Sequence, residues 1–269
     1  MKKPLDLENI AKTIRKIILT ISYESKVGHI GSSFSIVEIL VILYFSFLRI
    51  NPRKPKWHDR DRFILSKGHA APALYATLAL RGFFPQRNLS KYCKDKGLLE
   101  EHPKHTVLGI EISTGSLGHG ISIGAGMAIS AKLRKKNFRV VVLMSDAECD
   151  EGETWESALF ASHHHLQNLI VLLDYNKVQA FGSIEEVLQL EPLTSKWRAF
   201  GWNVLEVDGH SMPKLLSTIK KTAASANKPS IIICHTVRGK GVTFMEHTID
   251  WHYLNPKKEQ YYAALEEID

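Results

Sequence analysis

Apolar residues recur at Leu7, Ile10, Ile14, Ile17, Ile18 and Ile21, a spacing that gathers them on one face of a helix. Beyond a glycine-bearing loop, Ser35 followed three residues later by Glu38 has the form of a capping box, with Ser35 as N-cap of a second helix. The apolar run at residues 39–45, with Phe47 and Leu48 after it, is far short of the roughly 20 residues needed to cross a bilayer. It predicts a buried helix. A loop rich in proline and basic residues follows at 51–60 and leads to a short strand at 62–65.

From residue 139 the pattern becomes regular. The β-branched run 139–144 reads as a buried strand, 153–165 as a helix, and 169–173 as a second strand with hardly a polar residue. A helix at 193–200, a strand at 203–207, a helix at 213–226 and a strand at 230–234 continue the alternation, and residues 255–269 read as a short polar tail. Strands alternating with helices imply right-handed βαβ units. The fold class is therefore α/β, a doubly wound, mostly parallel sheet with helices on both faces. Ligands of such a sheet sit at the carboxyl ends of the strands. No internal repeat, low-complexity tract or Gly/Ser linker divides the chain, so 1–269 is read as a single domain. At 269 residues it can bury most of its apolar surface.

Composition narrows the function classes. Hydrophobic residues make up 44% and charged residues 23%, which excludes a disordered or fibrous chain. A formal charge of +7 suits anionic ligands. The cations are spread out, as in Arg53-Lys54-Pro55-Lys56 and Arg134-Lys135-Lys136, with no RNP, zinc-finger or helix-turn-helix signature, so no nucleic-acid partner is expected. Lys2 and Lys3 open the chain, but Asp6, Glu8, Lys12, Arg15 and Lys16 interrupt what an export signal would need as an apolar segment. A cytoplasmic protein without a membrane span is expected. Cys93, Cys149 and Cys234 are scattered, lack a CxxC pair and read as reduced structural thiols.

The chemistry should lie where the strands end. The strand at 139–144 runs into Ser145-Asp146-Ala147-Glu148, and that at 169–173 into Asp174-Tyr175-Asn176-Lys177, which can bring Asp146 and Asn176 to one crevice. A carboxylate and an amide oxygen are hard ligands suited to Mg²⁺. Taken singly, each is commonly a helix cap or a turn former. Histidines form a second set: Gly28-His29-Ile30-Gly31, Lys67-Gly68-His69-Ala70 and Glu101-His102-Pro103 place imidazoles in loops that can converge on a pocket, where groups titrating near neutral pH are useful. His163, His164 and His165 read as surface residues at a helix end. The glycines at 115, 118, 120, 124 and 126 belong to no P-loop or dinucleotide fingerprint and can serve close packing.

Asn176 stands thirty positions after Asp146. That spacing, with Cys149-Asp150-Glu151-Gly152-Glu153-Thr154-Trp155-Glu156 and Asp174-Tyr175-Asn176-Lys177-Val178-Gln179, resembles the thiamine diphosphate motif of transketolases, particularly those split into two chains. The three histidine segments, Gly115-Ser116-Leu117-Gly118-His119-Gly120 and Trp251-His252 resemble transketolase motifs in the same order.

The resemblance implies a thiamine-diphosphate-binding fold of the diphosphate-binding type. Asp146, Asn176 and the Val178 carbonyl would hold Mg²⁺ against the diphosphate of thiamine diphosphate. His29, His69 and His102 would face the thiazolium and the donor sugar. His69 would also touch the diphosphate, while Gly115 and Leu117 would lie on the cofactor's rings. His252 matches the family's last histidine, with His247 as rival, although Tyr253 replaces the usual following glycine. Ser145 and Ala147 replace the glycines flanking the aspartate, which bears on cofactor affinity at Ala147. His119 stands where the family often has glutamine. Glu151 and Glu156 match acidic residues at the interface that link paired sites; as first-turn helix charges they have an ordinary reading too.

The implied function is that of the N-terminal subunit of a thiamine diphosphate- and Mg-dependent transketolase, moving a two-carbon ketol unit from a ketose phosphate to an aldose phosphate. The implied partners are a C-terminal pyrimidine-binding subunit, which would bring the activating glutamate, and a second copy of the chain in a two-plus-two assembly. The subunit of a 2-oxo-acid decarboxylating complex and a degenerate, non-catalytic cofactor-binding paralogue remain as alternatives.

Overall fold

A computed structural model describes residues 5–223 and 227–269. The first helix, α1 (Leu7–Ser25), is capped by Asp6, whose side chain accepts from the Asn9 amide at 3.1 Å. Its Ile14, Ile18 and Ile21 are buried, as the periodicity predicts. Next come α2 (Ile30–Phe34) and α3 (Val37–Ile42), which runs on as a π-helical turn, Leu43–Phe47. The capping box expected at Ser35 is not formed. Ser35 has helical φ and ψ between the two helices, and its hydroxyl donates to the Ser32 carbonyl (3.0 Å) and Asp174 Oδ2 (2.7 Å). A buried carboxylate is a stronger acceptor than the competing local partners. Glu38 turns instead to Arg15 (2.6 Å) and His210 (2.9 Å).

Five strands, β1 (Arg62–Leu65), β2 (Val140–Ser145), β3 (Leu169–Tyr175), β4 (Asn203–Asp208) and β5 (Ser230–His235), form one parallel sheet in the order β1-β2-β3-β5-β4. Between and after them lie α4 (Ala71–Arg81), α5 (His119–Leu133), α6 (Gly152–His163), α7 (Ile184–Val187), α8 (Leu193–Ala199), α9 (Met212–Ala223) and α10 (Lys258–Ile268). The pleat divides the core. Phe63, Leu65, Val141 and Leu143 face α1 to α4, α9 and α10, whereas Ile64, Val142 and Met144 face α5 to α8. The register pairs Ser145 with Asp174 and Asp174 with Cys234, so the carboxyl ends of the central strands lie side by side.

The helix read over 213–226 is Met212–Ala223, and the rest of that reading lies outside the described residues, as do Lys2 and Lys3. Residues 255–269 are not merely a polar tail. They carry α10, whose Ala264 and Ile268 are buried and whose Tyr261 stacks on Tyr23 at 4.4 Å. Too few apolar positions mark that helix for its period to be read. Among the described residues no helix is long and apolar enough to cross a membrane. All three cysteines are free.

Candidate active site

The turns after β1, β2, β3 and β5, with Ser32 of α2, the loop before α5 and His252, line one cleft. Asp146 follows β2 and is buried there. Its Oδ1 accepts from the Ala147 amide and its Oδ2 from the Lys177 amide, both at 2.8 Å; Lys177 reaches this position in the left-handed region (φ 63°). Burial, followed by the charge of Asp174, pushes the Asp146 carboxyl up to about 6. A desolvated anion of this kind favours a cation in the cleft.

Asn176 follows β3. Its Nδ2 donates to Asp174 Oδ2 at 2.9 Å, and its Oδ1 accepts from the Val178 amide at 3.1 Å. The Val178 carbonyl accepts from Arg238 Nη1 at 2.9 Å and keeps a second lone pair. Asp146, Asn176 and Val178 all line the cleft. One carboxylate and two neutral oxygens fit Mg²⁺, which usually keeps other positions for phosphate oxygens and water.

His69 and His252 line the same cleft, and the ring of His29 packs against both. The ring centroids of His29 and His252 are 4.7 Å apart, those of His29 and His69 5.3 Å, and those of His69 and His252 5.5 Å. Burial, then the charge of Lys67, holds His69 well below the ordinary histidine range, and its Nε2 lies 2.8 Å from Ser32 Oγ. Burial, then Arg238, lowers His252 to about 3. His29 is lowered by burial against the opposing pull of Glu101, whose Oε1 lies 3.3 Å from its Nε2. All three are therefore neutral at pH 7 and able to act as donors or acceptors without carrying charge. His102 packs beside Gly115, where an added Cβ would stand 3.3 Å from its ring. Between the two rivals near the C-terminus, His252 joins the cluster, while His247 is outside the cleft.

Leu117 reaches the cleft from the loop before α5. That loop is held by Glu148, a buried carboxylate that accepts from the Gly118 amide (3.0 Å), the Ser145 amide (2.8 Å) and Ser66 Oγ. Gly118 has φ 81°, and Gly120 packs so closely on Ser66 that a Cβ would overlap its hydroxyl. Gly124 likewise abuts Val142, so part of the glycine pattern serves helix packing on the sheet. Ser145 has φ −92° and Ala147 is not among the residues of positive φ, so the two replacements for glycine carry no backbone strain. Glu151 and Glu156 are exposed on or beside α6 and do not line the cleft, and neither do the three consecutive histidines at the end of that helix.

Sequence reasoning missed Ser32, Lys67, Asp174, Glu148 and Arg238. The available signal was a charge inside an otherwise apolar strand end. Lys67 follows Phe63, Ile64 and Leu65, and Asp174 follows five apolar residues, so each was placed to be buried at the edge that carries ligands.

Residues 7–265 match the family described as transketolase, thiamine diphosphate binding domain. Over 262 residues the chain is 41% identical to a subunit of the apulose-4-phosphate transketolase of Phocaeicola vulgatus, covering 97% of this chain and 93% of that protein. It is 40% identical to the 6-deoxy-6-sulfo-D-fructose transketolase subunit SqwG of a Clostridium species, over 100% of this chain and 98% of that one. Among solved structures, the transketolase of Campylobacter jejuni superposes with a TM-score of 0.93 at 28% identity; the match covers 97% of this chain and 42% of that longer one. A parallel five-stranded sheet with this cleft at its carboxyl edge and a family match over nearly the full length place the chain in the transketolase family, as a thiamine diphosphate binding domain.

Proposed function

We propose that this chain is the diphosphate-binding subunit of a split transketolase and transfers a two-carbon ketol unit between sugar phosphates together with a pyrimidine-binding subunit. The observation that carries this reading is the meeting of Asp146 and Asn176 with two neutral imidazoles, His69 and His252, at one cleft, with His29 packed against both rings. Asp146, Asn176 and the Val178 carbonyl would hold Mg²⁺ and, through it, the diphosphate. Leu117, Gly115 and Ala147 would lie against the cofactor, with His69 and His252 beside the diphosphate and thiazolium.

Thiamine diphosphate, when bound, supplies the nucleophilic carbon and the electron sink that C–C cleavage of a ketose requires. The chain's part is to orient and to move protons. His29, His69, His102 and His252 would hydrogen-bond the sugar's hydroxyl and carbonyl oxygens, and a neutral imidazole can pass a proton either way. Glu151 and Glu156, exposed at the start of α6, would face a second copy of the chain.

The test is to purify the chain, titrate it with Mg²⁺ and thiamine diphosphate in a calorimeter, and assay transfer from a ketose phosphate to an aldose phosphate with the pyrimidine-binding chain present. Coupled binding of metal and cofactor, with ketol transfer in the pair, is expected. Absence of both would refute the reading.

A further inference from the structure

Asp174 is wholly buried at the end of β3, and four donors from four separate segments reach its carboxylate. Ser35 Oγ (2.7 Å), Asn176 Nδ2 (2.9 Å) and Lys67 Nζ meet Oδ2, and Thr236 Oγ1 meets Oδ1. Lys67 is itself only 1% exposed and also donates to the Ser32 carbonyl at 3.2 Å. An asparagine amide has two nearly isosteric orientations. At Asn176 the second would set Oδ1 against the Asp174 carboxylate and Nδ2 against the Val178 amide, opposing like groups on both sides. Buried polar groups left in that state are costly. Asp174 thus decides which face of the amide the cleft receives.

Lys67 settles a different question. Asp174 and Asp146 are both buried at adjacent strand ends, where Ser145, next to Asp146, pairs with Asp174. Lys67, which pairs with Asp174, lines the cleft, whereas Asp174 does not; removing the Lys67 side chain would open a way from the cleft to a second carboxylate, and additional carboxylate oxygens favour a larger ion over Mg²⁺.

We propose that Lys67 and Asp174 act together as a positioning pair: Asp174 locks Asn176 with its oxygen available for a cation, and Lys67 keeps Asp174 from becoming a ligand, leaving Asp146 as the sole carboxylate ligand. This rests on the metal site of the proposed function.

The experiment measures Mg²⁺ and Ca²⁺ affinities by calorimetry with thiamine diphosphate present, while circular dichroism and thermal melting monitor the fold. Asp174→Leu lowers Mg²⁺ affinity at least tenfold, because one of the two contacts that fix the Asn176 amide is lost. Since that variant leaves Lys67 buried and unpaired, the doubly substituted Lys67→Met, Asp174→Leu chain, in which both charges go together, provides the second measurement and shows the same loss. Lys67→Met alone shifts the ratio of Ca²⁺ to Mg²⁺ affinity at least tenfold towards Ca²⁺. Folded variants that bind both ions within twofold of the parent would overturn the proposal and reduce the pair to a structural ion pair. A parent chain that binds no Mg²⁺ with the cofactor would instead sink the functional reading and take this inference with it.

Discussion

Arg238 donates from Nη2 to Nδ1 of His252, so the ring's proton resides on Nε2. The same guanidinium, after burial, accounts for the low pKa of about 3. A histidine lowered in the fold from an ordinary value near 6.5 favours the native state above that value, and its contribution declines as pH falls from about 6.5 towards 3. His69 acts in the same direction. Arg238→Met removes the largest cause at His252 after burial, ahead of His29 and Lys67. Its pKa, followed by NMR of the ring protons, should rise, and the acid limb of kcat/KM in the assembled enzyme should move to higher pH. An unmoved acid limb would show that turnover does not depend on a neutral His252.

Asp146 has the opposite sign. Its folded pKa of about 6 lies above the unfolded value near 3.9, so its contribution to stability is present at low pH and is lost as pH rises through about 6. In the cofactor-free chain the fall in melting temperature between pH 4 and pH 7.5 should therefore be smaller in Asp146→Asn than in the parent by about 2 °C or more, since 1 kcal/mol corresponds to roughly 2–4 °C in a domain of this size. The same substitution should abolish the rise in melting temperature produced by Mg²⁺ with thiamine diphosphate. A variant that still responds to the metal would rule out Asp146 as a ligand.

His69 lines the cleft from a short helical turn, and under the proposed function His102 faces the same substrate from its loop; both are polar side chains outside the apolar core, so His69→Ala and His102→Ala should leave melting within a few degrees of the parent. Turnover in the reconstituted enzyme should fall by about 10²–10⁴, the usual worth of a proton-transfer or orienting group. Full activity in either variant would return that histidine to a packing role.

Ala147 lines the cleft with an ordinary backbone, so glycine at this position relieves no strain and loosens the turn after β2 by roughly 0.5–1 kcal/mol. Ala147→Gly should lower the melting temperature slightly and leave the cofactor Kd within about threefold. Strong tightening would mean that the methyl group crowds the diphosphate.

The residues behind these outcomes differ in how legible they are in the sequence. Asp146 and Asn176 follow long apolar strands whose period is unmistakable, and ligands of a parallel sheet gather at such ends. The extent of α4, by contrast, is set by packing: Ala71, Ala73, Ala76 and Ala79 are buried, but alanines carry a weak hydrophobic period. Lys67 meets Asp174 across 107 positions, and Arg238 meets Val178 across 60, so only the closed sheet brings them together. The apparent capping box at Ser35 failed for the same reason, because a distant carboxylate outcompeted the local amide.

Another protein should cover the cleft. Phe181 is 87% exposed, close in sequence to Val178 and Ala180 on its wall, and Tyr253, 60% exposed, donates its hydroxyl to the Ala180 carbonyl. Large aromatic groups left in water beside a binding cleft mark a surface for another protein. Both relatives named above are called subunits. Under the proposed function the chain alone is inactive, and titration with the pyrimidine-binding chain should bring ketol transfer that saturates near equal stoichiometry. Aromatic anchors of an interface commonly cost more than about 1.4 kcal/mol when truncated, a tenfold change in Kd. Phe181→Ser should accordingly raise the partner concentration giving half-maximal activity by about tenfold or more, with kcat at saturating partner close to the parent's. Robust turnover by the isolated chain would defeat the split-subunit reading, and a Phe181→Ser titration curve superimposed on the parent's would place the partner elsewhere on the molecule.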